Sequence, residues 1–183
     1  MIESAGDISG ISISTSISRI PHLLNESRNL FRLPEDSMIV ENKSNCYFAV
    51  DRDALKIVFD NLMDNAVKYS VSPVKINVCI NSVGRKVKID FKDNGIGISA
   101  KELKKVFNKF HRIYSSNIPN VKGTGLGLHL VKEIIKSHGG KITVASEGLN
   151  KGSTFSIELP VYQPDKNRFA NKLLKKSKRK KKA

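Results

Sequence analysis

The feature that most constrains the fold is an amphipathic stretch at 53–70 that contains no proline or glycine. Its apolar residues recur at helical spacing and predict a helix with one buried face: Leu55, Val58, Phe59, Leu62, Ala66 and Tyr69. Asp51 or Asp53 can cap the start of this helix. A second, polar stripe lies at the border of the buried face and consists of Asn61, Asn65 and Lys68. Such a stripe indicates either a solvated helix face or the polar wall of a pocket.

Strands are predicted on both sides of this helix, which we expect to end at Pro73. Short strands at 38–40 and 46–50 flank a turn at 42–45. Alternating apolar and polar residues predict a hairpin at 74–81 and 86–92, and two further strands at 141–147 and 153–160.

Shorter helical segments accompany the strands. A helix is predicted at 21–31, after an extended or poorly ordered Ser- and Ile-rich leader at 1–19. Ser99 can cap a second short helix at 101–105. Phe107 and Phe110 are helically spaced, so we expect both to pack inward.

Two glycine-rich turns follow, each weak evidence by itself. Asp93 and the sequence N-G-I-G-I come directly after a strand, which is typical of a close approach between backbone and ligand or of a plain turn. The sequence G-T-G-L-G-L at 123–128 opens a helix that runs to Ser137 and is closed by Gly139 and Gly140. A helix N-terminus of this kind suits phosphate, but neither a Walker A motif nor a dinucleotide fingerprint is present. The polar loop at 115–123 is typical of a functional lid.

Length and composition favour one domain with extensions. The 183 residues include 39% hydrophobic residues, and no apolar run reaches the ~20 residues that cross a bilayer. We see no signal peptide. Cys46 and Cys79 have no metal-ligand spacing and are expected to be buried thiols of a reducing compartment.

The net charge of +15 is concentrated at one end. Ten Lys or Arg residues and no acid lie between Lys166 and Ala183, which leaves +5 for the rest of the chain. A disordered, solvated tail is the preferred interpretation. A weaker alternative is a tether to nucleic acid or to an anionic membrane.

Four segments, taken in order, resemble the ATP-binding catalytic domain of sensor histidine kinases in the GHKL superfamily. The segments are N-L-M-D-N-A-V-K-Y-S, D-N-G-I-G-I, V-F-N-K-F and G-T-G-L-G-L. The similarity extends from about Met38 to Pro160. It implies a domain at 38–162, a leader at 1–37 and a tail at 163–183. The implied fold is a two-layer α/β sandwich, a mixed β-sheet covered on one face by helices, with ATP held between helices and lid.

The resemblance also implies the roles of individual residues. Asn61, Asn65 and Lys68 form the catalytic set, with Asn65 as the Mg²⁺ ligand, Asn61 beside the phosphates and Lys68 on a phosphate. Tyr69 flanks the adenine, and Asp93 accepts a hydrogen bond from its amino group. The remaining nucleotide-binding set comprises Gly95, Ile96, Gly97, Phe107, Lys122, Gly123, Thr124, Gly125, Leu126, Gly127 and Leu128, with Arg112 as a further phosphate contact.

The same resemblance bears on the reaction. ATP-hydrolysing relatives carry Glu at the position of Asn61, and a carboxamide is a poor general base. We therefore expect slow hydrolysis and transfer of the γ-phosphoryl group to a histidine. None of His22, His111, His129 and His138 lies in an H-E-x-x-x-P-like context, so we expect all four to be structural or surface residues.

The implied partners are ATP with Mg²⁺, a histidine-bearing dimerisation domain and a response regulator. The segment before Met38 is short for a helical hairpin, so the chain is interpreted as a fragment or as a kinase whose acceptor lies on another protein. The expected location is cytoplasmic, and the cytoplasmic part of a membrane-bound sensor is compatible with it. The alternatives are a nucleotide-dependent regulatory module without kinase activity and an anti-sigma-type serine kinase.

Overall fold

The computed structural model describes residues 15–16, 20–44, 47–48, 50–70, 73–113, 121 and 123–161. The expectations for most of the leader, for Cys46, for most of the lid predicted at 115–123 and for the basic tail lie outside these residues. The elements in chain order are β1 (Thr15–Ser16), α1 (Ile20–Leu30), β2 (Met38–Asn42), β3 (Tyr47–Phe48), α2 (Arg52–Lys68), β4 (Ile76–Val83), β5 (Lys86–Asp93), α3 (Ala100–Leu103), α4 (Gly127–Ser137), β6 (Lys141–Ala145) and β7 (Ser153–Pro160).

The main sheet has five strands in the order β2-β4-β5-β7-β6. β2 runs parallel to β4, and the other neighbours are antiparallel. The pairing places Ile80, Ile89, Ile157 and Ile142 side by side in one row, and all four are buried. The sheet is therefore mixed, and one of its faces forms the floor of the core.

Helices α1 and α4 both pack against α2, and the three helices supply the other half of that core. Phe59 and Leu62 of α2 are fully buried, as are Leu24 of α1 and Val131 of α4. The opposite face of the sheet is polar, since the alternate residues of β5 are Lys86, Lys88, Asp90 and Lys92. The α/β sandwich predicted from the sequence is confirmed.

The central helix α2 starts and ends for identifiable reasons. The Asp51 carboxylate accepts hydrogen bonds from the backbone N–H groups of Asp53 (2.7 Å) and Ala54 (3.2 Å), so Asp51 is the N-cap. The helix ends at Lys68, earlier than the predicted stop at Pro73. The carbonyl oxygen of Tyr69 accepts a hydrogen bond from the N–H of Ile96 (2.8 Å), and this contact holds the chain that leaves the helix.

The two strands predicted on either side of the turn at 42–45 are present, but they join different sheets, since β2 pairs with β4 and β3 pairs with β1 in a separate two-stranded sheet. Two sequence-based expectations were wrong. Phe110 is 70% exposed, with a left-handed φ of 62°, because α3 ends at Leu103 and no helix carries this side chain inward. Cys79 lies on the polar sheet face and is only half-buried.

Within the described part of the chain, no helix combines the length and the apolarity that a bilayer span requires.

Candidate functional site

A cavity of about 170 Å³ opens between α2, the turn that follows β5, the segment at 106–113 and the turn that precedes α4. It brings together residues that are far apart in the sequence. The predicted residues that line it are Asn61, Asn65, Lys68, Tyr69, Asp93, Ile96, Gly97, Arg112, Gly123, Thr124, Gly125, Gly127 and Leu128.

The polar stripe of α2 forms one wall of this cavity. The Asn61 carboxamide donates from Nδ2 to the carbonyl of Ile57 (2.8 Å), which holds its orientation. Two turns later, the Lys68 ammonium contacts a carboxylate oxygen of Asp64 at 2.5 Å. Of the two interpretations of this stripe, a pocket wall is therefore the one that the structure supports.

Asn65 differs from its neighbours on this stripe in the hydrogen bonding of its amide nitrogen. Its Nδ2 is buried and has no hydrogen-bond partner among the described residues. A buried polar group without a partner is unfavourable by about 1–3 kcal/mol, so it marks a position for a ligand or a water molecule.

Magnesium fits this wall only together with a ligand. No cluster of three or more His, Cys, Asp or Glu residues suited to a metal occurs in the described part of the chain. Mg²⁺ prefers oxygen ligands and is usually held by one or two protein groups plus phosphate oxygens and water. The amide oxygen of Asn65, beside the Asp64 carboxylate, matches that donor set.

Asp93 forms the opposite end of the cavity and is 8% exposed. Its Oδ1 accepts hydrogen bonds from the backbone N–H groups of Gly95 (2.8 Å) and Ser153 (3.2 Å). Burial raises the pKa of the Asp93 carboxyl above its ordinary value, against the opposing effect of these hydrogen bonds and of the Ser153 hydroxyl. A buried acceptor fixed in this way can select a ligand that presents an N–H donor.

Backbone contacts lock the turn that carries Asp93. Gly97 has a φ of 69°, and a Cβ at this position would lie 2.0 Å from the carbonyl oxygen of Gly148. The Ser146 hydroxyl accepts a hydrogen bond from the N–H of Ile98 (3.0 Å) and donates to the carbonyl of Gly152 (2.7 Å). The β6–β7 loop therefore fixes the position of Asp93 from behind.

The turn before α4 closes the third side. Gly125 has a φ of 72°, and a Cβ there would lie 2.7 Å from the backbone of Phe110. A Cβ on Gly127 would lie 2.5 Å from Oδ1 of Asn61. No side chain caps the N-terminus of α4 at Leu126. Gly127 and Leu128, the first residues of α4, line the cavity, so an anion bound beside them would be favoured by the helix dipole.

Several predicted site residues do not line the cavity. A Cβ on Gly95 would lie 2.8 Å from the carbonyl oxygen of Tyr69, so Gly95 acts in packing. Phe107 packs edge-on against Phe155, with ring centroids 6.5 Å apart. Leu126 is not among the lining residues, and Lys122 lies outside the described residues. Arg112 does line the cavity. Its guanidinium donates a hydrogen bond to the carbonyl of Val121, and this bond connects the segment before the predicted lid with the last part of the lid.

The sequence interpretation missed other lining residues: Asp64, Ile98, Val106, His111, Ile113, Val121, Ser153 and Phe155. Ser153 had no signal in the sequence, because its pairing with Asp93 is a contact between two strands that are distant along the chain. For Asp64 the signal was its spacing, three residues after Asn61 and four before Lys68 on the same helix.

The four histidines have protein partners. His22 contacts Glu26 at 3.1 Å, and His111 contacts Glu102 at 2.5 Å. His129 contacts the carbonyl of Phe107 at 3.3 Å. His138 joins two helices, because its Nδ1 contacts the carbonyl of Ile134 (2.8 Å) and its Nε2 accepts from the N–H of Asp51 (3.4 Å).

Comparisons with known proteins agree with this geometry. Residues 50–163 match the family model of histidine kinase-, DNA gyrase B- and HSP90-like ATPases. Sensor protein RprX of Bacteroides fragilis is 46% identical over 120 residues, which are 64% of this chain and 23% of RprX. Sensor protein SrrB of Staphylococcus aureus is 34% identical over 158 residues, which are 84% of this chain and 27% of SrrB. The chain thus spans about a quarter of the length of these relatives.

Solved structures show the same fold. The catalytic domain of the histidine kinase ThkA superposes with a TM-score of 0.64 at 28% identity, covering 78% of this chain and 94% of that domain. The mycobacterial sensor histidine kinase MprB, at 23% identity, has a likeness of fold alone, with a TM-score of 0.66 over 82% of this chain and 98% of that one. The chain therefore belongs to the family of histidine kinase-, DNA gyrase B- and HSP90-like ATPases.

Proposed function

We propose that this domain binds ATP with Mg²⁺ and supplies its γ-phosphoryl group to a histidine on a helical dimerisation domain of a sensor histidine kinase. The observation that carries the proposal is the single cavity in which a buried carboxylate, a carboxamide-bearing helix face and a glycine turn at a helix N-terminus meet. Each of the three suits a different part of a nucleotide.

The adenine end is assigned to Asp93. Its carboxylate is a hydrogen-bond acceptor in a nearly buried site. A base with an exocyclic amino group can donate to it, whereas a base with a carbonyl oxygen at that position would place two acceptors opposite each other. Ile96 and Ile98 line the same end and provide an apolar surface for the ring. Tyr69 contributes to this wall at the end of α2.

The phosphate end is assigned to α2 and to the turn before α4. Lys68 provides a cation, and Gly123, Gly125 and Gly127 allow backbone N–H groups to approach the phosphates. Asn65 would hold Mg²⁺ through its amide oxygen. The metal would neutralise charge on the phosphoryl group that is transferred.

Asn61 favours transfer over hydrolysis. Its amide has no lone pair that can take a proton from water, and Nδ2 is already engaged by the carbonyl of Ile57. Water near the γ-phosphate therefore lacks a base on α2 at this position, and the phosphoryl group is kept for a better-placed nucleophile.

The acceptor histidine and the response regulator are proposed to lie outside this chain. The histidines of the described domain are held by protein partners and lie in no acceptor context. Because ATP is the donor, we place the domain on the cytoplasmic side.

The experiment combines binding with phosphotransfer. Calorimetry with Mg²⁺ and ATP should show binding by the chain, and Asn65→Ala should abolish the contribution of Mg²⁺. Labelled ATP and a separate acceptor-bearing dimerisation domain should give acid-labile phosphohistidine. Acid-stable phosphoserine would identify a serine kinase, binding without any transfer would identify a regulatory module, and rapid steady-state hydrolysis would contradict the role of Asn61.

A further inference from the structure

The charges along the described cavity wall cancel. Two carboxylates, Asp64 and Asp93, face two bases, Lys68 and Arg112. Asp64 and Lys68 form a close ion pair on α2, with 2.5 Å between Asp64 Oδ2 and Lys68 Nζ. The cation assigned to the phosphates therefore already has an anionic partner when no nucleotide is bound.

This pair lies where the phosphates are expected. A Cβ on Gly123 would lie 4.0 Å from Lys68 Nζ, so the ammonium faces the turn before α4. Both side chains of the pair are 35% exposed, and both line the cavity. An ammonium has three N–H donors, so Lys68 can keep Asp64 and still bind a phosphate oxygen.

The two forms of the nucleotide respond differently to such a pair. Metal-free ATP is a polyanion. The negative charge of Asp64 repels it, and the attraction of Lys68 is weakened because Lys68 is already paired with Asp64. The magnesium-bound form carries less negative charge and brings a cation that a nearby carboxylate attracts.

We propose that Asp64 is a specificity-determining residue that makes this site select magnesium-bound ATP over metal-free ATP. The inference rests on the proposed function, since it assumes that the cavity takes a nucleotide. Asp64 acts by balancing the positive charge of Lys68, and its carboxylate would attract a cation held by the neighbouring Asn65.

The test is the ratio of two affinities. Kd for ATP is measured once with excess Mg²⁺ and once with EDTA, at low ionic strength because the effect is screened by salt. Asp64→Asn keeps the shape of the side chain and its ability to accept from Lys68. It removes the charge, so metal-free ATP should bind about tenfold more tightly. Affinity for the magnesium-bound form should stay within threefold or fall, and the ratio should shrink about tenfold.

Helix α2 provides a control pair about two turns earlier. Lys56 and Asp60 form an ion pair at the same four-residue spacing but in the reverse order, with 2.6 Å between Nζ and Oδ1, and neither lines the cavity. Asp60→Asn should leave the ratio unchanged. Adenosine, which has no phosphate, should bind equally to wild type and to both variants.

The outcomes separate the inference from the proposed function. If wild type binds magnesium-bound ATP but Asp64→Asn leaves the ratio within twofold, or if Asp60→Asn moves it equally, the inference fails alone. If wild type binds neither form, the proposed function fails and the inference fails with it. Thermal unfolding of each variant verifies folding, and Asp64→Ala repeats the test if Asp64→Asn does not fold.

Discussion

The substitution Asp93→Asn tests the recognition of the base most directly. Asn can keep Oδ1 where the backbone N–H groups of Gly95 and Ser153 reach it, at 2.8 and 3.2 Å. Its Nδ2 then replaces the oxygen that would face the adenine amino group, so two donors oppose each other. A hydrogen bond to a charged group contributes about 1.5–3 kcal/mol, which corresponds to roughly 10- to 150-fold in affinity.

Calorimetry with ATP and Mg²⁺ at neutral pH should therefore show binding by Asp93→Asn that is weaker by about two orders of magnitude. The loss should be smaller for inosine triphosphate, because its carbonyl oxygen can accept from Nδ2 and the preference for adenine narrows. Equal affinity of wild type and Asp93→Asn for ATP, in folded protein, would refute the assignment of Asp93 to the base.

The same variant carries a prediction about stability and pH. The pKa of the Asp93 carboxyl in the folded protein is raised above its ordinary value of 3.8. At a pH between the ordinary and the raised pKa, the folded protein therefore binds more protons than the unfolded chain. The contribution of Asp93 to the free energy of unfolding is therefore greatest below pH 3.8 and is lost as pH rises through the raised pKa. Asp93→Asn should lack this loss, and the Tm difference between Asp93→Asn and wild type should grow in favour of the variant over that window. A difference that is constant from pH 3.5 to 7 would contradict the effect.

Two further predictions concern the framework of the site. Gly97→Ala and Gly84→Ala both place a side chain at positive φ, which is unfavourable by about 1–2 kcal/mol. Only the first also meets a backbone oxygen, that of Gly148 at 2.0 Å, so urea unfolding should show a loss at Gly97 that is larger by at least about 2 kcal/mol; equal losses would contradict the contact. Phe107→Ala should destabilise by about 2–3 kcal/mol because the ring packs on the core, whereas Phe110→Ala should change the free energy of unfolding by less than about 0.5 kcal/mol. Equal losses for the two variants would mean that Phe110 is buried in solution.

Much of the fold could be predicted because local periodicity decides it. The 3.6-residue period of α2 identified its buried face, and the same period placed Asn61, Asn65 and Lys68 along one edge. The hairpin of β4 and β5 followed from strict alternation, which the observed register confirms. In these segments the local pattern and the tertiary environment favour the same structure.

What could not be predicted depends on contacts between distant segments. Nothing in residues 38–42 shows that β2 lies parallel to β4, since its partner strand is more than thirty residues away in the sequence. Phe110 was placed in the core because its spacing from Phe107 suits a helix. Its left-handed backbone arises from a tertiary contact, the hydrogen bond from its N–H to the carbonyl of Gly125 at 2.9 Å. Ser146 had no signal at all, because a serine that organises a loop resembles any other serine in the sequence.

The two ends of the cavity are built differently, and this difference has a consequence. The proposed base end is held by backbone hydrogen bonds of the turn that follows Asp93. The N–H of Ile96 donates to the carbonyl of Tyr69, and the N–H of Gly152 donates to the carbonyl of Gly95. The proposed phosphate wall is made of α2 side chains outside the apolar core, such as Lys68 and Asn65, whose Nδ2 has no partner in the part of the chain that the structure describes. Substitutions that disturb the backbone of the base end should therefore lower stability and nucleotide affinity together. Substitutions on the α2 wall should lower affinity alone, because the energy that they remove is realised only when a ligand is bound.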